Sequence, residues 1–80
     1  MVEENREVIL YTSDNCKKSD QLRELLNKWG ISFIEKNTTK NRLYLKELQK
    51  DGIYGTPTTL VGDVYVEGLQ KNRLNNLLNH

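Results

Sequence analysis

The chain has 80 residues, and twelve Lys and Arg against eleven Asp and Glu leave a formal net charge of +1. A domain of this size buries only about 60–65% of the surface its unfolded chain exposes, so one modest core is expected across 1–80. Interspersed, nearly balanced charge gives no electrostatic case for nucleic acid or membrane as a partner. The single cysteine, Cys16, excludes an internal disulfide and a four-cysteine metal site from one chain. The one histidine is the terminal His80, so no metal site of protein groups alone is expected. Residues 1–7 are acidic and polar, unlike a signal peptide, and no apolar run approaches membrane-spanning length. A cytoplasmic, reducing setting follows as the expectation.

Residues 1–6 read as a solvated lead-in, and 7–12 as a first strand built on Val8-Ile9-Leu10-Tyr11. Leu22, Leu25, Leu26 and Trp29 recur at helical spacing, which predicts a helix over 16–29. Gly30 stands where a left-handed residue would end it. Ile31-Ser32-Phe33-Ile34-Glu35-Lys36 reads as a second strand, and Asn37-Thr38-Thr39 as a turn with capping chemistry. A polar-rich helix is expected from about 40 to 50. Its inward face is Leu45 and Leu48, assisted by Leu43 or Tyr44, and Asp51-Gly52 closes it. The loop 53–57 holds the only proline, Pro57. Thr58-Thr59-Leu60-Val61, the tight turn Gly62-Asp63 and Val64-Tyr65-Val66 make a hairpin. Leu74, Leu77 and Leu78 mark a last helix. The order is βαβαββα. Its first βαβ unit requires a parallel pair with a right-handed crossover, and its hairpin requires an antiparallel one. A four-stranded mixed sheet with helices on both faces, an α/β architecture, accommodates every segment.

Cys16 falls at the junction of the first strand and first helix. The first N–H groups of a helix have no intrahelical partner, and the macrodipole places partial positive charge there, so both favour a thiolate. Lys17 and Lys18 add two cations. A free cysteine titrates near ~8.5, and helix N-termini with basic neighbours bring it to roughly 3.5–7.5. A lowered pKa is therefore predicted for Cys16, moderated by the carboxylate of Asp14. The competing reading is a small buried hydrophobe, which the polar neighbours Ser13, Asp14, Asn15, Lys17 and Lys18 disfavour.

Tyr11-Thr12-Ser13-Asp14-Asn15-Cys16, Gly55-Thr56-Pro57, Gly62-Asp63 and Val66-Glu67-Gly68-Leu69 occur in this order at these spacings. On them the chain resembles the glutaredoxin-like branch of the thioredoxin fold across 7–79. It looks most like the short glutaredoxin-like proteins of bacteria and the ribonucleotide-reductase-linked redoxins. The resemblance implies a minimal thioredoxin fold and thiol–disulfide oxidoreductase activity, with roles in electron transport and cell redox homeostasis. It also implies a cis Thr56–Pro57 bond that turns the Thr56 backbone toward Cys16. There the Thr56 N–H and C=O would pair with an extended peptide or with glutathione, a form of strand addition.

Two departures stand out. The family commonly carries Cys-x-x-Cys, whereas this chain reads Cys16-Lys17-Lys18-Ser19. A serine forms no disulfide, so the route is monothiol, or Ser19 replaces the second cysteine of a dithiol enzyme. In either case Ser19 can hydrogen-bond the sulfur. The second departure is the segment Glu67-Gly68-Leu69-Gln70-Lys71, which lacks the acidic pair that would hold the amino group of glutathione. The catalytic candidates are thus Cys16 and Ser19. The substrate-binding candidates are Tyr11, Asn15, Lys17, Lys18, Thr56, Pro57, Glu67 and Gly68. Tyr11 is a groove-wall candidate, and Tyr54 divides between groove and solvent. Trp29 and Phe33 read as core, and Lys40, Arg42, Lys46 and Lys50 as a solvated face. No intrinsic cofactor or metal is expected, with glutathione as a candidate cosubstrate. The expected partners are a disulfide-bearing protein or a glutathione mixed disulfide, with glutathione or a thioredoxin-reductase-type enzyme as reductant, acting on a monomer. The competing functions are a dimer bridging an iron–sulfur cluster, with Cys16 from each chain plus two glutathiones, and a redox-inactive adaptor that binds peptides at Thr56-Pro57.

Overall fold

In the computed structural model, which describes residues 7–78, the first strand serves two cores at once. β1 (Val8–Thr12) places Val8 and Leu10 in one buried cluster and Ile9 and Tyr11 against another, as the period-two geometry of a strand dictates. Both sets are apolar, so the strand must be covered on both faces. α1 (Lys17–Lys28) and α3 (Lys71–Leu78) cover the first: Leu22, Leu26 and Leu74 meet Val8, Leu10, Val61 and Val66. Trp29 and Phe33 pack against this cluster, as a core reading requires. α2 (Arg42–Lys50) covers the second face, where Leu48 and Ile53 meet Tyr11, with Tyr44, Leu60 and Tyr65 around them. Leu10, Leu22, Leu26, Leu48 and Leu74 are fully buried. Truncating one of them to alanine costs about 2–5 kcal/mol, a large share of the roughly 5–15 kcal/mol that holds a domain together.

The remaining strands are β2 (Ile34–Asn37), β3 (Thr58–Val61) and β4 (Val64–Glu67). The sheet order is β2-β1-β3-β4. β1 pairs in parallel with β2 and antiparallel with β3, and β3 pairs antiparallel with β4. This is the βαβαββα mixed sheet expected from the sequence, in the arrangement of a minimal thioredoxin fold. The lead-in 1–6 and His80 lie outside the described residues.

Two helices end by the same device. Gly30 has φ +72° and Gly52 has φ +83°, a conformation other residues resist. The residue after each glycine turns back onto the helix: Ile31 N–H donates to Leu26 O, and Ile53 N–H to Leu48 O, both at 3.0 Å. Each isoleucine then packs in or against the cluster that holds the leucine it bonds, which is the Schellman arrangement with its apolar contact. This device corrects the second strand. Ile31 belongs to the helix end, so the strand begins at Ile34 and runs one residue further, to Asn37. The second helix also starts later than the expected 40. Asn41 is its N-cap and its side chain accepts from Leu43 N–H at 3.0 Å. With that phase Leu48 is buried, Tyr44 and Leu45 are half-buried, and Leu43 is 63% exposed. Leu43 is therefore no part of the inward face.

Candidate active site

Cys16 is the N-cap of α1, with extended backbone (φ −115°, ψ 107°). Asn15 before it adopts φ +58°, which reverses the chain out of β1 and leaves Cys16 half-buried. The Cys16 carbonyl accepts the first helical bond, from Asp20 N–H at 3.1 Å. The Cys16 side chain makes no capping hydrogen bond of ordinary geometry, and the leading N–H groups of the helix lie at its sulfur end.

The loops around Cys16 continue the register of the sheet beneath them. Tyr11 opposes Thr58 across β1 and β3. Two steps on, the Ser13 and Thr56 hydroxyl oxygens lie 2.7 Å apart. Thr12 opposes Asn37 across β1 and β2. Two steps on, Asp14 N–H donates to Thr39 Oγ1 at 3.0 Å, while the Asp14 carboxylate accepts from Asn37 Nδ2 at 2.9 Å. Thr58 opposes Glu67. One step on, Gly68 N–H donates to Pro57 O at 2.8 Å. The Thr56–Pro57 bond is cis, as the resemblance implies. The loop bearing Cys16 is thus held on one side by the Thr56–Pro57 loop and on the other by the turn after β2. In that turn Asn37 Oδ1 accepts from Thr39 N–H and Lys40 N–H at 2.9 and 3.0 Å, the capping chemistry the sequence suggested.

The Cys16 thiol titrates below its ordinary value. The largest cause is the Ser19 hydroxyl one turn along α1, followed by the Ser19 backbone N–H. Burial opposes them, and the Ser13 hydroxyl and the Lys18 backbone N–H add smaller contributions in the same direction. Ser19 is fully buried, and its hydroxyl makes no hydrogen bond of ordinary geometry, not even with the neutral thiol. A thiolate is a better acceptor than a thiol, so ionisation of Cys16 offers that hydroxyl the partner it lacks. The lowering therefore comes chiefly from hydrogen bonds. The helix N–H groups and the Ser19 hydroxyl that the sequence pointed to are among its causes, while the ammonium groups of Lys17 and Lys18 and the Asp14 carboxylate are not.

The other predicted site residues separate into those near the sulfur and those engaged elsewhere. Asn15, Lys17 and Lys18 are exposed beside Cys16, Thr56 is half-buried, and Pro57 is buried. Tyr11 is no groove wall. It is buried beneath α2, and its hydroxyl donates to Glu47 Oε1 at 2.9 Å. The Lys36 ammonium donates to the same oxygen at 3.0 Å and lies 5.7 Å from the Tyr11 ring and 5.4 Å from the Tyr44 ring. Tyr54 is 73% exposed. Glu67 and Gly68 were expected to offer backbone groups. The Gly68 N–H is taken by Pro57, and the Glu67 carbonyl accepts from Gln70 Nε2. By contrast, among the described residues the Thr56 N–H and C=O make no hydrogen bond. Ser13 is the residue that sequence reasoning missed as a functional group. Its signal lay in the pairing of β1 with β3, which sets it opposite Thr56.

A family model described as Glutaredoxin matches residues 8–66, from the start of β1 into β4, and takes in Cys16, Ser19 and the cis-proline loop. The chain belongs to the glutaredoxin family. For a glutaredoxin-family chain the activity class is thiol–disulfide oxidoreduction. Among solved structures it is similar to the thioredoxin-like protein BC3987, with 25% identity, 89% of this chain and 99% of that one covered, and a TM-score of 0.85. It is also similar to glutaredoxin (grx-1) from Archaeoglobus fulgidus, at 24% identity, 95% and 89% coverage and a TM-score of 0.79. The NrdH-redoxin from Escherichia coli, described as a glutaredoxin-like protein with a thioredoxin-like activity profile, follows at 20% identity, 89% and 93% coverage and a TM-score of 0.81. These likenesses bear on the thioredoxin fold. A comparison with curated proteins finds no match. Among the described residues no helix is long and apolar enough to cross a membrane.

Proposed function

We propose that this glutaredoxin-family chain is a thiol–disulfide oxidoreductase that works by a monothiol route through Cys16. The observation that carries the reading is the junction itself: a half-buried thiol at the N-cap of α1, with its pKa lowered, beside a cis-proline loop in which the Thr56 N–H and C=O make no hydrogen bond among the described residues. In the first step the Cys16 thiolate attacks one sulfur of a substrate disulfide. The S–S bond breaks, the second sulfur leaves as a thiolate and takes a proton from water, and a mixed disulfide joins Cys16 to the substrate. The Thr56 N–H and C=O hold the extended substrate backbone as an added strand. Ser19 holds charge on the sulfur but cannot resolve the mixed disulfide, because an alcohol forms no S–S bond. An external thiolate therefore attacks the substrate sulfur of the mixed disulfide, Cys16 leaves as the thiolate, and a second external thiolate attacks the resulting disulfide, releasing the substrate thiol and joining the two external sulfurs. Two thiols are oxidised for each disulfide reduced. Glutathione is the first reductant to test, with a thioredoxin-reductase-type enzyme as the other.

The test is mass spectrometry after exposure to oxidised glutathione, with Cys16→Ser as control. The expected result is one glutathione adduct on Cys16, removed by excess reduced glutathione and absent in the control. A protein that takes up no adduct, or whose adduct resists reduced glutathione, contradicts the monothiol cycle with this reductant. The first of these outcomes also removes Cys16 as the nucleophile.

A further inference from the structure

The contact between the Ser13 and Thr56 hydroxyls is the one polar side-chain contact joining the loop of Cys16 to the loop of Pro57 among the described residues. Two hydroxyls 2.7 Å apart share one hydrogen between them, and either can supply it. The direction matters, because Ser13 has a single proton. If Ser13 donates to Thr56, nothing remains for the sulfur three residues on. If Thr56 donates to Ser13, the Ser13 proton is free to turn toward Cys16. We propose that Thr56 is a positioning residue for Cys16: its hydroxyl donates to Ser13 Oγ, and Ser13 then donates to the sulfur whenever the sulfur is charged. This deepens the oxidoreductase reading and rests on Cys16 being its thiolate.

Strand register places the pair, and the charge that develops on the sulfur selects the direction. The pair is set by strand register rather than by flexible loop packing, since Ser13 and Thr56 continue the β1–β3 ladder. Among the described residues neither Ser13 nor Thr56 has a competing side-chain bond, whereas Thr58 already donates to Gly55 O at 2.8 Å. The Ser13 hydroxyl also contributes to the stabilised charge on Cys16, which it can do only as a donor. In the neutral thiol, or in a mixed disulfide, the sulfur is a poor acceptor and the Ser13 proton is released to turn back to Thr56. The hydroxyl pair thus follows the charge of the sulfur from one step of the cycle to the next. The charged groups on the loop and first turn that carry the sulfur are Asp14, Lys17, Lys18 and Asp20, and the segments bonded to the neighbouring loops carry Lys40, in the turn after β2, and Glu67, at the end of β4. All are exposed, and the substitutions below alter none of them.

The pH dependence of Cys16 alkylation by iodoacetamide tests the proposal, in wild type, Thr56→Val, Thr56→Ser, Ser13→Ala and the Ser13→Ala/Thr56→Val double variant. Each rate at mildly acidic pH is divided by the same protein's alkaline plateau. Thr56→Val is nearly isosteric but has no hydroxyl, and its normalised rate is expected to fall roughly three- to tenfold. Thr56→Ser is expected to restore it. Ser13→Ala is expected to match Thr56→Val, with the double variant no slower than Ser13→Ala, because the two residues act in series. A Thr56→Val profile that superimposes on wild type, a failed rescue by serine, or additive losses in the double variant would overturn the proposal. Alkylation needs no disulfide substrate. If wild-type Cys16 itself titrates as an ordinary thiol, it is the reading of Cys16 as nucleophile that falls.

Discussion

Ser19 carries two opposite consequences in one side chain. Its hydroxyl is fully buried and lacks a partner while Cys16 is a thiol, and such a group costs about 1–3 kcal/mol. The same hydroxyl is the largest cause of the lowered Cys16 pKa. Ser19→Ala should therefore raise stability by about 1 kcal/mol in mild acid, measured by urea denaturation. In the same protein, Cys16 alkylation near neutral pH should slow. A variant that is both less stable and equally reactive would contradict this account. The place of Cys16 at the start of the first helix and its lowered pKa were legible in the sequence, from the strand-like run before it and the helical spacing after it. Of the causes, the helix N–H groups and the Ser19 hydroxyl were legible too, and the Ser13 hydroxyl was not. Charges are visible in a sequence, so Lys17 and Lys18 drew attention. The hydroxyls of Ser13 and Ser19 act through placement, which depends on helix phase and strand register.

At the scale of elements, α2 is fixed chiefly by contacts of its own. Asn41 caps it, its last turn is locked by Ile53, and its contacts lie on the face away from α1. Asn41→Ala should cost about 1 kcal/mol of unfolding free energy and leave the pH profile of Cys16 alkylation unchanged. A shifted profile would show that the cap and the thiol are coupled. α1 is tied to β2 more firmly than by packing alone. Arg23 grips Glu35 with two bonds of 2.8 and 2.7 Å and also reaches Asp20 at 2.8 Å, and Thr12 donates to Glu35 at 2.8 Å. This two-pronged geometry makes the cluster stronger than a typical surface pair. The existence and type of every element were legible from periodicity. The errors came at ends, where Ile31 and Asn41 answer to capping geometry and periodicity is silent. Leu43 looked like core because an apolar residue one position off the helix phase cannot be told apart without a fixed start.

For the whole molecule, the titrating groups define a pH range of greatest stability. Arg23 holds Glu35, and Lys36 holds Glu47, below the usual carboxylate range of 4.5. Their stabilisation is present above 4.5 and is lost as pH falls through the lowered folded-state values. Tyr65, which donates to Asp51 at 2.6 Å, is pushed up to about 12 from 10.0. Burial, and then its bond to Glu47, also raise Tyr11. Their contribution is complete below 10 and is lost as pH rises toward the folded values. Cys16 has the carboxylate sign: its stabilisation is present above 9.0 and is lost as pH falls through its lowered value. Urea midpoints across the pH scale should fall on both sides, and Tyr65→Phe should flatten the alkaline limb. An alkaline limb unchanged in that variant would remove Tyr65 from the account. The α/β class and the family likeness were legible at this scale because four weak motifs kept their order and spacing. The two-sided use of β1 was legible too, since Val8-Ile9-Leu10-Tyr11 has no polar alternation.

The loops at the reactive end continue the pairings of the sheet: Ser13 with Thr56, Asp14 with Thr39, Gly68 with Pro57. Their positions are inherited by counting from the strands. The molecule is therefore strict in spacing at these points, over and above the hydroxyls that two of the pairs require. An extra residue between Thr12 and Cys16, or between Thr56 and Thr58, would put every partner out of step, even if its side chain were harmless. Lengthening the turn at Gly62-Asp63, at the far end of the same strands, would not. In such a scaffold, new specificities arise by substitution near the sulfur and new appendages by insertion at the opposite pole.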